Sequence, residues 1–180
     1  VFWIIIKIFD INDIKIIYLM KTLRLLLFWE CNLTCTYCCN EIPEIRKGIL
    51  PIKKEDIDYS KYDNVCLSGG EPFLKPELVF EMLDTIPNDV YIYTNGIKIN
   101  KSIEEQLLTY PNLKGINVGL HYPKTFNKLI NKLRDNKLIR FHAEDTYQEQ
   151  LTKEYPDVRF KFWKRNDCEM SNEDIRILEY

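Results

Sequence analysis

The chain has 180 residues, of which 46% are hydrophobic and 29% charged, and its net charge is −2. This length suits one globular domain and argues against a two-domain enzyme. The near-neutral charge argues against generic nucleic-acid binding, although 11 basic against 6 acidic residues lie between His121 and Arg165.

The first 19 residues differ from the rest. They are rich in Ile, but four charged residues interrupt them, so they do not predict a transmembrane helix, and they lack the pattern of a signal peptide. Because Met20 precedes an apolar run, we expect residues 1–19 to be an extension upstream of the native start; the alternative is an extra packing strand or helix. We expect a main domain over 20–164, a tail over 165–180, a cytoplasmic location and no membrane contact.

From residue 23 onward, short β-rich runs alternate with amphipathic helical patterns, which is typical of βα units and a parallel sheet. A closed eight-stranded barrel takes about 250 residues, so this chain has room for about six units. The expected fold is therefore α/β, a partial (β/α)6 barrel of the TIM type with an irregular, abbreviated first crossover over 41–63. The predicted strands are 23–29, 65–68, 90–93, 116–120, 138–143 and 158–163, and the predicted helices are 75–86, 99–108, 125–136 and 145–155.

Alternate residues along these strands divide into two sets. One set is apolar and predicts the face that packs under the helices. The other set is unusually polar for buried parallel strands. We expect this polar set to line a functional lumen that can hold an anionic group. The alternative is that these residues lie at an edge of the sheet and face water. The polar set includes Asn95, Asn117, His121, Arg140, His142, Glu144 and Lys161.

Three cysteines follow the first predicted strand, at Cys31, Cys35 and Cys38. Three thiolates on one tight loop can hold three irons of a [4Fe–4S] cube and leave the fourth iron open. Structural zinc sites take four protein ligands. Cys39 is adjacent to Cys38, so joint ligation by both is strained, and no second metal-binding pair follows. The pattern favours an open cluster over structural zinc.

At these residues the chain resembles the radical S-adenosylmethionine (SAM) superfamily. Its CxxxCxΦC motif matches Cys31 to Cys38, with Tyr37 at the aromatic position, where we expect it to wall the cluster or the adenine. Its GGEP motif matches Gly69, Gly70, Glu71 and Pro72; the resemblance implies that this segment receives the amino group of SAM. A TNG turn ends in Asn95-Gly96, and Asn117 and His121 are weaker matches near the SAM ribose.

The resemblance implies a mechanism. Cys31, Cys35 and Cys38 would bind a [4Fe–4S] cluster that chelates SAM, and an electron from a flavodoxin- or ferredoxin-like donor would release a 5′-deoxyadenosyl radical, which abstracts hydrogen from a substrate. We assign substrate or carboxylate contacts to Arg140, His142, Glu144 and Lys161. For both His121 and His142, the alternative is a structural, hydrogen-bonded role.

Two substrate classes remain open. The size and the Cys39-Asn40 pair partly resemble small glycyl-radical-enzyme activases, whose substrate is a partner protein. The alternative is a small anionic metabolite, as in 7-carboxy-7-deazaguanine synthases. A third hypothesis is a non-catalytic metal-binding module, for which the abbreviated first crossover is the best argument.

Overall fold

The structure is a computed structural model that describes residues 20–164 and 173–179, together with the backbone of 7–11 and 14–18. Of the predicted extension over 1–19, the two described segments form strands β1 (Lys7–Ile11) and β2 (Ile14–Tyr18), which pair antiparallel. Residues 165–172 and 180 of the predicted tail lie outside the described residues.

The main sheet has eight strands, and every pairing within it is parallel. Its spatial order is β4-β10-β3-β5-β6-β7-β8-β9, and it stays open between β4 and β9. The carboxyl ends of all eight strands therefore meet at one edge. The strands are β3 (Thr22–Leu26), β4 (Leu50–Lys53), β5 (Asn64–Ser68), β6 (Asp89–Thr94), β7 (Leu113–Gly119), β8 (Ile139–Glu144), β9 (Phe160–Trp163) and β10 (Glu173–Glu179).

Helices connect the strands. They are α1 (Pro43–Gly48), α2 (Pro76–Thr85), α3 (Lys101–Leu107), α4 (Phe126–Leu133) and α5 (Gln148–Glu154). In α4 the buried residues Phe126, Leu129, Ile130 and Leu133 recur at the spacing of one helix face, which packs on the sheet. Asn100 caps α3 by accepting a hydrogen bond from the Ile103 amide. Among the described residues, none of these helices has the length and hydrophobicity to cross a membrane.

The predicted α/β fold is confirmed, but the number of strands was too low. All six predicted strands are present, and β4 and β10 are additional. Pro51 lies inside β4, which is tolerated because β4 is at the sheet edge. β10 lies in the segment that was expected to be a tail, and it inserts between β3 and β4. The first crossover is abbreviated as expected: its one α-helix, α1, has six residues.

The apolar set of strand residues forms the core. Val65, Leu67, Val90, Ile92 and Phe141 are at most 1% exposed and belong to one hydrophobic cluster that includes residues of α2 to α5. The other face of the strands carries the polar set. The sheet therefore has a helix-covered apolar side and a polar side, and the polar set of predicted site residues lies on the second.

Candidate functional site

A cavity of about 370 Å³ opens on the polar side of the sheet at the carboxyl ends of the strands. Residues from the cysteine loop, the Gly69–Gly70 turn and strands β6, β7 and β8 all line it. Active sites of parallel α/β folds lie at this edge, and the volume is within the usual range of small-molecule pockets. Its lining includes Cys31, Cys35, Cys38, Gly70, Asn95 and His142.

The cysteine loop, residues 31–38, is fixed to the rest of the fold at several points. The Tyr122 hydroxyl donates to the Thr34 carbonyl oxygen at 3.1 Å. The Asn40 side chain, just after the loop, donates to the Gly69 carbonyl oxygen at 2.6 Å. These bonds connect an otherwise irregular loop to the segment after β7 and to the turn after β5.

The three loop thiols are free and lie near one another. Burial raises the pKa of the Cys35 thiol, and the charges that Cys38 and Cys31 would carry raise it further. Burial also raises the pKa of Cys31, while the Leu33 amide donates to Cys31 Sγ at 3.4 Å and opposes the rise. A bound metal cluster would offset this repulsion because metal-bound thiols are deprotonated.

Within residues 20–164 and 173–179, no three His, Cys, Asp or Glu side chains meet closely enough to hold one metal ion. In an iron–sulfur cube each cysteine binds a different iron. Three free thiols on one loop are the donor set of a [4Fe–4S] cluster with three protein ligands.

The two glycines of the GGEP segment pack against the base of the cysteine loop. The Gly70 amide donates to the Phe28 carbonyl oxygen at 2.8 Å, and the Glu71 amide donates to the Glu30 carbonyl oxygen at 2.8 Å. A Cβ atom at Gly70 would lie 1.9 Å from the Glu30 oxygen. Gly69 has φ +137°, which favours glycine. The glycines are thus needed for contact between two backbone segments.

The Glu71 carboxylate points into the protein and is fully buried. Its Oε1 accepts from the Thr94 hydroxyl at 2.6 Å and from the Phe73 amide at 3.0 Å, and its Oε2 accepts from the Asn95 amide at 2.7 Å. Burial raises the pKa of Glu71, and these bonds oppose the rise. The carboxylate therefore holds the turn after β6; its expected contact with the amino group of SAM stays a prediction.

Asn95 continues this connection to the cysteine loop. Its side-chain amide donates to Asn32 Oδ1 at 2.8 Å, and its own oxygen accepts from the Ile97 amide at 3.0 Å. Asn32 lies between the first two cysteines, so a chain of hydrogen bonds runs from Glu71 through Asn95 to the loop. Such a network reduces the freedom of the loop before any cofactor binds.

Three aromatic rings form one wall of the cavity. Tyr37 lies 5.2 Å from the Trp163 ring and 6.0 Å from the His121 ring, between ring centroids. The Tyr37 hydroxyl is 3.2 Å from His121 Nδ1. Gly119 leaves room for this arrangement, since a Cβ there would lie 2.3 Å from His121 Nε2. The wall connects the cysteine loop to the ends of β7 and β9.

The opposite part of the cavity is polar. Arg24 forms an ion pair with Glu173 at 2.5 Å, and both side chains are largely buried, at 14% and 6% exposure. Its guanidinium lies 4.4 Å from the centre of the Tyr93 ring. Burial alone would lower the pKa of Arg24, but the hydrogen bond and charge of Glu173 raise it above its usual value. Because Glu173 begins β10, this last strand completes the cavity.

The remaining predicted residues lie close to this polar part. Arg140 donates to Asn117 Oδ1 at 2.9 Å, and His142 pairs with Lys161 in the strand register. Burial and the charges of Arg140 and Lys161 lower the pKa of His142 to about 3. Burial also lowers the pKa of Lys161.

The structure brings most of the predicted site residues to this one cavity, but not all of them. In the described part of the chain, Pro72, Arg140, Glu144 and Lys161 do not contribute to its lining. Sequence reasoning missed Asn32, Tyr122, Arg24 and Glu173. A charged residue inside the apolar run of β3 was a signal for Arg24, whereas Glu173 lay in a segment that was not expected to be a strand.

Comparison with known proteins agrees with the motifs. No established family profile matches the chain. A GTP 3′,8-cyclase of Microcystis aeruginosa is 32% identical over 124 residues, which is 60% of this chain and 37% of the cyclase. A 7-carboxy-7-deazaguanine synthase of Archaeoglobus fulgidus is 30% identical over 118 residues, 57% of this chain and 52% of the synthase. The chain thus spans between about a third and half of the length of these relatives.

The fold has a solved counterpart in Streptococcus suis SuiB bound to S-adenosylmethionine. It matches 88% of this chain and 48% of its own, with a TM-score of 0.52 and 15% sequence identity, so the likeness is one of fold. The sequence relatives and the open parallel sheet agree with the resemblance that the cysteine and glycine motifs carry. These similarities support assignment of the chain to the radical SAM superfamily, whose enzymes use a [4Fe–4S] cluster and S-adenosylmethionine.

Proposed function

We propose that this protein cleaves S-adenosylmethionine reductively and uses the product to abstract hydrogen from a substrate. One observation carries the proposal. The three motif cysteines line the same cavity as the Gly69–Gly70 turn and Asn95. Cofactor, SAM and substrate can therefore share one site at the carboxyl ends of the strands, where active sites of such sheets lie.

Cys31, Cys35 and Cys38 would hold the [4Fe–4S] cluster. When bound, the cluster supplies the electron that breaks a carbon–sulfur bond of SAM and leaves a 5′-deoxyadenosyl radical. The protein supplies the placement. The Leu33 amide donates to Cys31 Sγ, and hydrogen bonds to cluster sulfurs are one way in which a protein tunes a cluster potential.

SAM would bind between the cysteine loop and the turns after β5 and β6. Glu71 supports this position indirectly, since its carboxylate accepts hydrogen bonds from the Thr94 hydroxyl and the Asn95 amide. The aromatic wall of Tyr37, His121 and Trp163 would exclude water from one side of the site. Exclusion of water protects a reactive intermediate from side reactions.

Two kinds of partner follow from the proposal. An electron donor similar to flavodoxin or ferredoxin would reduce the cluster, as in the superfamily. The hydrogen donor is either a small molecule or a glycyl-radical enzyme. The small molecule is favoured by the cavity volume of about 370 Å³ and by the names of the relatives, a GTP cyclase and a deazaguanine synthase.

The test is anaerobic reconstitution with iron and sulfide, followed by dithionite and SAM. We expect about four irons per chain and formation of 5′-deoxyadenosine. The Cys35→Ala variant should lose both. The matched control is Cys66→Ala, because Cys66 is a buried cysteine of β5 outside the loop. An intact cluster without SAM cleavage would refute the enzymatic proposal, and tight binding of zinc without iron would support the non-catalytic metal-binding module.

A further inference from the structure

His142 has a fixed ring that faces the cavity. It lies in the middle of β8, between Gly119 of β7 and Lys161 of β9 in the strand register. Its ring meets the Tyr93 ring edge-on, with centroids 5.7 Å apart and planes at 86°. Both rings line the cavity. The direction of the imidazole is therefore set by the protein before any ligand binds.

The Nε2 atom of this ring is buried and has no hydrogen-bond partner among the residues that the structure describes. Buried polar atoms in native proteins are nearly always paired, since an unpaired one loses its hydrogen bond to water without replacement. An unpaired nitrogen in the wall of a cavity indicates a group that pairs with it in the occupied state.

The charges around His142 restrict what that group is. Burial disfavours protonation of the ring, and the nearby charges of Arg140, Lys161 and Arg24 disfavour it further, so that its pKa falls to about 3. The acid Glu173 lines the same cavity and is paired with Arg24. A neutral imidazole has one N–H donor, and a positive surrounding favours a negatively charged acceptor for it.

We propose that the Nε2–H of His142 donates a hydrogen bond to an anionic oxygen, a carboxylate or phosphate oxygen, of a small-molecule substrate. The proposal rests on the proposed function and deepens it by naming the substrate class. The backbone of a glycine loop from a partner enzyme carries no charge, so it does not match this surrounding. Of the two open substrate classes, a small anionic molecule and the glycine loop of a partner enzyme, the proposal selects the small anionic molecule.

The test uses the two histidines of the chain, His121 and His142, which give two sets of ring signals in a ¹⁵N-histidine-labelled protein. Acetate, inorganic phosphate and the neutral isostere acetamide are titrated at constant ionic strength into the SAM-saturated holoprotein. We expect a saturable shift of the His142 Nε2 signal with acetate or phosphate and none with acetamide. Equal shifts with acetate and acetamide, or no saturable shift with either anion, would overturn the proposal.

A second arm separates the substrate from the carboxylate of SAM. If SAM abolishes the response to acetate and decarboxylated SAM does not, the anion at His142 belongs to SAM, and the proposal is wrong. The titration measures binding and needs no turnover. Its failure is therefore distinct from a failure of the proposed function, which would appear as a lack of 5′-deoxyadenosine.

Two variants separate ligand binding from a structural role. His142→Leu removes the donor, whereas His142→Gln keeps an N–H group. We expect phosphate binding, measured by calorimetry, to weaken about tenfold or more in the Leu variant and to recover in large part in the Gln variant. The urea midpoint of the Leu variant should equal or exceed that of the wild type because no hydrogen bond is lost. A lower midpoint with unchanged phosphate binding would contradict the proposal.

Discussion

The contact between the glycine turn and the cysteine loop gives the sharpest prediction of stability. In Gly70→Ala the new Cβ would lie 1.9 Å from the Glu30 oxygen and 2.5 Å from the Trp29 oxygen. Both are backbone atoms, so no side-chain rotation relieves the collision. The two segments must separate by at least about 1 Å, which strains the hydrogen bonds from Gly70 to Phe28 and from Glu71 to Glu30.

The expected cost combines two effects. Overpacking typically costs about 1–3 kcal/mol, and each of the two hydrogen bonds contributes about 1 kcal/mol. We therefore expect the free energy of unfolding to fall by about 3–5 kcal/mol. Most domains have about 5–15 kcal/mol, so the variant should still fold, with a displaced cysteine loop.

Urea unfolding measures the stability, and iron content after anaerobic reconstitution measures the loop. The matched control is Gly48→Ala, because a Cβ at this last residue of α1 meets no atom within 4 Å. It should keep the wild-type stability or gain up to about 1 kcal/mol. If Gly70→Ala unfolds within about 0.5 kcal/mol of the wild type and retains full iron, the close backbone contact is wrong.

Three further predictions concern the buried charges. Glu71→Gln should lower the free energy of unfolding in urea by about 2 kcal/mol, because the new amide NH2 group would face a hydrogen-bond donor. The exposed control Glu44→Gln should change it very little, and equal effects of the two substitutions would contradict the hydrogen bonds to Glu71. Glu173→Gln should lower the free energy of unfolding by about 3 kcal/mol because it removes the carboxylate charge that pairs with the buried Arg24. A double replacement of both residues by Met should recover much of this loss, and a double variant as unstable as the single one would contradict the ion pair. Because the pKa of His142 in the folded protein is about 3, below its unfolded value of about 6.5, stability is full above pH 6.5 and falls as the pH decreases. Between pH 7 and 5 the wild type should lose about 2 kcal/mol more than His142→Gln, and parallel pH profiles would refute the low pKa.

The sequence by itself determined the features that depend on neighbours along the chain. The spacing of Cys31, Cys35 and Cys38 predicted a cluster loop, and strand alternation predicted which residues of β5 to β8 enter the core. The α/β fold predicted from the alternating runs is confirmed, and the sequence relatives support the predicted superfamily. Such signals are local, because side-chain direction in a strand alternates with every residue.

Only the tertiary structure decided which polar groups meet. It pairs Arg24 with Glu173, 149 positions apart, by inserting the last strand beside the first strand of the sheet. It turns Glu71 toward the protein and leaves Nε2 of His142 without a partner in the described residues. The physical reason is the parallel sheet: hydrogen bonds between strands bring distant residues into register, and no local periodicity encodes which strands become neighbours.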